Sequence, residues 1–181
     1  MDQREVVTVI ERRVAEVCVL LTAFSMLVGC SGERRDYEVP SALCGVTVNR
    51  EVVSDLLPPG NRVETEEKHP VYRRSECQVN VDGKAALILS QEWWEDGDTI
   101  VDVAASVPQL KSAKLTDDGG TYISSGTGAV MKVADCTSPD HPDHTLYTGL
   151  EVHADDVSDD AAVKKMITSY TRTVADSGTC R

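Results

Sequence analysis

Ser75-Glu-Cys-Gln-Val-Asn-Val-Asp-Gly-Lys-Ala-Ala-Leu-Ile-Leu-Ser-Gln-Glu-Trp-Trp94 is the stretch on which the fold turns. Its first part alternates: Cys77, Val79 and Val81 share one face, while Glu76, Gln78 and Asn80 share the other. That period of two is the pattern of a half-buried strand. Asp82-Gly83 comes next. A two-residue type I′ turn needs positive φ at both central positions, and this pair meets that need, so a hairpin is predicted. Lys84 to Trp94 returns as the partner strand, with an Ala85–Leu89 core whose continuous apolar run predicts burial on both faces. Trp93 and Trp94 then project to opposite faces, so at most one of them is expected in the core.

Upstream of the hairpin, Asn49 is placed to cap a short helix over Arg50–Leu57 with Val52, Val53, Leu56 and Leu57 as its buried stripe. Pro58-Pro59-Gly60 ends that helix. Residues 61–70 are charged, with Val63 their only aliphatic side chain, and read as an edge strand or a loop. Downstream, Asp96-Gly97-Asp98 is a turn, and Asp98 is expected to cap a segment through Val107. There Ile100, Val101, Val103, Ala104 and Val107 fit a helical face, although the β-branched content also allows a strand. Lys111 to Gly120 is polar and expected to be mobile.

Gly126–Cys136 and Thr145–His153 predict a second antiparallel pair joined by the loop Thr137–His144. Ser158 then precedes an amphipathic helix in which Val163, Met166, Ile167, Tyr170 and Val174 recur at helical spacing. Asp159 and Asp160 lie at its positive end, and Gly178 suits its C-terminal cap. The predicted fold is therefore α+β: an antiparallel sheet of two hairpins packed with a short N-terminal helix and a long C-terminal amphipathic helix.

The N-terminus carries a different signal. Val17 to Val28 is an uncharged run of twelve residues. A bilayer span needs about 20 residues, whereas a signal-peptide core needs about 7–15. Arg12 and Arg13 stand before the run, and Leu27-Val28-Gly29-Cys30 closes it. These four residues resemble the lipobox of bacterial lipoproteins, a resemblance that implies cleavage before Cys30 and lipidation of its thiol. Asp2, Glu5, Glu11 and Glu16 are acidic residues where a basic segment is usual, which suggests a translation start nearer Val9 or Val14. On this reading residues 1–29 are a signal peptide, 30–42 are the lipidated Cys and a flexible tether, and 43–181 form one disulfide-bonded domain. Arg34 and Arg35 would be a solvated pair in the tether.

Residues 30–181 hold 15 basic and 26 acidic side chains, a net of −11. Nucleic-acid binders show basic patches, so this balance argues against nucleic acid. It argues equally against attraction to anionic lipid, leaving the acyl chains, at about 0.8 kcal/mol per buried CH₂, as the membrane tether. Without Cys18 and Cys30, four cysteines remain: Cys44, Cys77, Cys136 and Cys180. An even count in an exported chain implies disulfides. Of three pairings, Cys44–Cys77 with Cys136–Cys180 is favoured, because each lies within one local unit. A zinc site is the poorer reading, since nothing approaches CxxC spacing.

Taken together, Leu27–Cys30, Cys44-Gly45, Cys77, the Gly126-Thr-Gly-Ala-Val run to Cys136, and Val174-Ala175 to Cys180 resemble the uncharacterised cell-envelope lipoproteins of actinobacteria. Some of those are similar to the PsbP-like α/β/α sandwich. The resemblance implies an extracytoplasmic, lipid-anchored module and brings no catalytic residues with it.

No constellation in the chain carries recognisable chemistry. His141 and His144, with Asp140 and Asp143, are the best candidates for a metal or hydrolase site, and a Pro- and Asp-rich turn is the simpler reading. His153 lies about 30 Å along the strand from His144 and cannot join them. Glu95, Asp96 and Asp98 resemble part of a calcium loop but lack the distal Glu. Gly126-Thr127-Gly128 has Met131 where a phosphate-binding loop has its third glycine. The expectation is a binding or protein-interaction module with an envelope protein partner, no cofactor, and a contact patch that includes Trp93 or Trp94. An envelope hydrolase or metal enzyme using the His141/His144 loop, and a small-ligand carrier, are the alternatives.

Overall fold

The computed structural model describes residues 34–110, 116–117 and 120–180. The signal segment, Cys30 and most of the polar stretch expected to be mobile lie outside the described residues. Two short strands, β1 (Ala42–Leu43) and β2 (Val46–Thr47), form a ribbon before helix α1 (Arg50–Ser54). The main sheet contains β3 (Val63–Val71), β4 (Arg74–Val81), β5 (Lys84–Glu95), β6 (Thr116–Asp117), β7 (Tyr122–Ser124), β8 (Gly128–Lys132) and β9 (His144–Val152). Helix α2 (Ile100–Ser106) and a 3₁₀ turn (Pro108–Leu110) follow β5, and helix α3 (Asp160–Ala175) follows β9.

The sheet order is β3-β4-β5-β9-β8-β7-β6, with every neighbouring pair antiparallel. Both predicted hairpins are present, and the last strand of each pairs with the other at the centre. Asp82 and Gly83 take φ of 50° and 81°, the left-handed pair that a type I′ turn requires. The charged segment 61–70 is an edge strand, because β4 supplies hydrogen bonds along one side while its side chains stay in water.

Helices cover both faces of the sheet. On one face α1 and α3 pack Val52, Val53, Val163, Met166 and Ile167 against Val79, Leu87, Leu89, Leu146 and Leu150. Each such side chain, fully buried, contributes about 1.5–3 kcal/mol. Within this layer Thr148 donates to Thr171 at 2.6 Å, and Thr171 donates to the Ile167 carbonyl at 2.7 Å, so two buried hydroxyls are satisfied. On the other face α2 and the 3₁₀ turn place Ile100, Val103, Val107 and Leu110 against Ile123, Val130 and Tyr147. Trp93 is buried in the first layer and Trp94 packs on the second. Trp93 alone is fully buried, and Trp94 stays partly open to solvent, in keeping with the expectation of at most one tryptophan in the core.

The disulfides are Cys44–Cys77 and Cys136–Cys180, as favoured. The caps differ from expectation in position. Regular α1 ends at Ser54, and i to i+3 bonds from Leu56 and Leu57 tighten its exit so that both leucines still reach the core. Thr99, not Asp98, caps α2, in a reciprocal box with Asp102 that leaves Val101 exposed. Asp159, not Ser158, caps α3 by accepting from Ala161 and Ala162. Its C-terminus closes on Asp176 in a right-handed conformation, so Gly178 is not the cap.

The chain from Arg35 is docked rather than a free tether. Arg35 bridges to Gly60. Its guanidinium donates to Ser54 Oγ and to the carbonyls of Ser54 at 2.8 Å and Leu57 at 2.6 Å. The carbonyls at the end of α1 and in the turn after it thus gain a cationic partner, and the Tyr37 hydroxyl donates to the Pro58 carbonyl. The compact unit runs from Arg35, eight residues ahead of the expected domain start, and Arg35 is no solvated linker residue.

Candidate functional site

One end of the sheet gathers the β3–β4 turn, the last residues of β5 and the loop entering β9. The connections are backbone bonds: Trp93 donates to the Arg73 carbonyl at 3.0 Å and Asp96 to the Asp143 carbonyl at 2.9 Å. His144 pairs with Glu95 in the β5–β9 register. These links bring together residues that are far apart in sequence.

At this end His141 stacks on Trp93, with ring centroids 4.8 Å apart and planes 20° apart. Tyr72 tilts against His141 at 6.0 Å, and His144 meets it edge-on at 6.1 Å. Tyr72 is 88% exposed and its neighbour Val71 is 55% exposed. Large side chains seldom stand this far out of a small fold, and two in succession at a turn form a projecting apolar tip. Burial above all holds the His141 imidazole below its ordinary pKa, with His144 and Arg73 adding to the shift and Asp140 opposing it.

His144 is committed on both sides. Arg73 Nη1 lies 2.5 Å from Nε2, and a guanidinium can only donate, so Nε2 accepts. Nδ1 then carries the proton and donates to the Pro142 carbonyl at 2.7 Å. No lone pair is left to bind a metal, and a cation already sits where one would approach. Among the described residues no group of three or more His, Cys, Asp or Glu is placed to hold a metal ion. The histidine loop predicted from sequence is thus assembled against Trp93 through His141.

The remaining candidates resolve into structural roles. Glu95 lies 3.5 Å from Arg73, and Asp96 accepts from Thr145 at 3.0 Å, so this acidic turn is tied to neighbouring strands. A Cβ on Gly126 would lie 2.3 Å from Ser158 Oγ, and one on Gly128 would lie 2.9 Å from Gln109 Cβ. These glycines therefore permit close packing and do not cradle phosphate. His153 stands at the opposite end of β9 from His144, 3.7 Å from Glu151.

Glu151 belongs to a charged cluster on the part of the second face that α2 leaves open. Arg74 donates to Glu76 at 2.7 Å and Glu92 at 3.0 Å, and lies 3.9 Å from Glu151. The Glu151 side chain is buried, and desolvation raises its pKa against the pull of His153 and Arg74.

Sequence reasoning missed Tyr72, Arg73 and the convergence itself. An isolated Val-Tyr-Arg-Arg after a charged segment carries no periodicity, and only the tight β3–β4 connection makes it a protruding tip. Among the described residues no helix is long and apolar enough to cross a membrane. In comparison with known proteins, the chain matches no family model, no curated protein and no solved structure.

Proposed function

We propose that the chain is an extracytoplasmic lipoprotein, anchored through Cys30, whose folded unit is a protein-interaction module that contacts an envelope partner through the Tyr72–His141 end of the sheet. The observation that carries the contact face is the exposed Val71-Tyr72 tip backed by the His141–Trp93 stack. A stacked support restricts a contact side chain before binding, and preorganisation of this kind lowers the entropy cost of association. Aromatic residues dominate interface energetics. The anchor rests on the Leu27–Cys30 sequence, and two disulfides suit an oxidising compartment. Helices on both faces of an antiparallel sheet support the PsbP-like comparison as fold analogy, which carries no activity.

The hydrolase reading loses its support where Arg73 occupies His144 Nε2. The carrier reading has none at this end of the sheet, where the concavities are open to solvent. The test is crosslinking in intact cells expressing the wild-type or the Tyr72→Ala chain at equal level, with captured proteins identified. Wild type is expected to capture a defined envelope protein that Tyr72→Ala loses; equal capture by both refutes the contact face. Cys30→Ala is expected to leave the membrane fraction or to accumulate as uncleaved precursor, and normal processing and anchoring of that variant refutes the anchor.

A further inference from the structure

We infer that the concavity beside Tyr72 receives an arginine or lysine side chain from a polypeptide partner, an assignment that rests on the interaction-module reading and names its chemistry. The concavity measures about 480 Å³ and is lined by Tyr72, Trp93 and Trp94 together with the acidic residues Glu92, Glu95 and Asp98. Arg73 is the one basic side chain in that wall, and it is directed to His144 and Glu95. Glu92 is held by Arg74 at 3.0 Å, whereas Asp98 is exposed and in no ion pair among the described residues. Three carboxylates against one guanidinium leave the wall net negative. The exposed Tyr72 ring and the partly exposed Trp94 ring add the negative potential of their faces, which attracts ammonium and guanidinium groups.

The surroundings select the source of the cation. Val71 and Tyr72 stand beside the concavity, 55% and 88% exposed. A free small cation would leave both uncovered, whereas a peptide chain delivering its basic side chain would lie across them. A second copy of this chain is disfavoured, since each carries a formal charge of −12.

Trp93 and Trp94 are the chain's two tryptophans and both line the concavity, so intrinsic fluorescence reports the site directly. The full chain in detergent is titrated, at ionic strength of about 0.15 M to screen long-range attraction, with three capped peptides. These are acetyl-Gly-Leu-Arg-Leu-Gly-amide and its lysine and citrulline counterparts. The arginine and lysine peptides are expected to give a saturable change. Citrulline, the same shape without charge, is expected to bind at least about tenfold more weakly. Tyr72→Ala and Asp98→Asn should each weaken the arginine peptide by about threefold, the scale of one exposed cation–π contact. The double variant Asp155→Asn/Asp156→Asn, acidic residues beyond the other end of β9, should leave it unchanged.

Equal binding of the citrulline peptide, equal weakening by the Asp155/Asp156 double variant, or no saturable change with any peptide overturns the assignment. Binding of free arginine amide as tightly as the peptide overturns the polypeptide source. If the peptides fail while Tyr72→Ala still loses its captured protein in cells, this inference falls and the interaction module stands. Equal capture in cells removes the module reading whatever the peptides do.

Discussion

Replacing Cys136 and Cys180 together by alanine should cost about 4 kcal/mol of folding stability. The two residues are 44 apart in sequence. Closing a loop of that length in the unfolded chain removes about 13 cal/mol/K of entropy, or about 4.0 kcal/mol at 25 °C. The Cys44–Cys77 pair closes 33 residues, and the same relation gives about 3.7 kcal/mol. Loop length enters only logarithmically, so the two double variants should be almost equally destabilised, each with a melting temperature about 8–16 °C below wild type. Removing both bridges should cost about 8 kcal/mol, comparable with the whole stability of an ordinary domain, and leave the chain largely unfolded. Urea denaturation at neutral pH, with calorimetry alongside, measures these losses. A loss below about 1 kcal/mol for either double variant would refute the loop-closure argument. A loss for Cys44/Cys77 far exceeding that for Cys136/Cys180 would refute it too, by inverting the order of loop lengths. The bridges should differ in a second respect. Gly178 and Thr179 wall the concavity beside His141, so loss of Cys136–Cys180 should shift the tryptophan emission of the folded protein while loss of Cys44–Cys77 leaves it unchanged.

Two pH dependences follow from the titratable groups. Burial lifts Glu151 above its ordinary 4.5, so the unfolded chain gives up this proton first. Its contribution is complete below about 4.5 and is lost as pH rises through the raised value. The melting temperature of Glu151→Gln should therefore improve relative to wild type as pH climbs from 4 to 7; a constant or reversed difference would contradict this. His141 is shifted the other way: its folded value lies below 6.5, so its contribution is present above 6.5 and fades as pH falls through the lower value. His141→Gln should flatten that acid limb of the melting curve, and an unaltered limb would show that the imidazole does not titrate as its packing requires.

Local features of the fold were legible in sequence because their causes are local. The alternation of Cys77, Val79 and Val81, the Asp82-Gly83 turn and the Val163–Val174 stripe each declare themselves within a few residues. The cysteine pairing followed from proximity within two units. What was not legible depends on partners distant in the chain. The charged segment Val63–Val71 has no apolar face of its own and becomes a strand only because β4 offers a ladder. The central β5–β9 pairing joins the two hairpins, and nothing in either strand names the other. The cap positions shifted by one residue because Ser158 and Asp159, or Asp98 and Thr99, are both competent caps, and tertiary packing sets which one ends the turn. The site was half visible: the histidines and tryptophans stood out by type, whereas Tyr72 became notable only once the sheet placed it on a tip beside His141.

Arg35, clasped to the end of α1, also fixes where the chain enters the folded unit. It bridges to Gly60, and Gly60 abuts Val81 and Asp82 at the far end of β4. Tyr72 and Arg73 precede the near end of the same strand. Arg74 to Val81 spans seven residue steps, about 23 Å at 3.3 Å per step, so entry and tip lie at opposite poles of the sheet. The chain thus enters the folded unit as far from the aromatic tip as the sheet's own length allows, and a partner seated on the tip is not crowded by that entry.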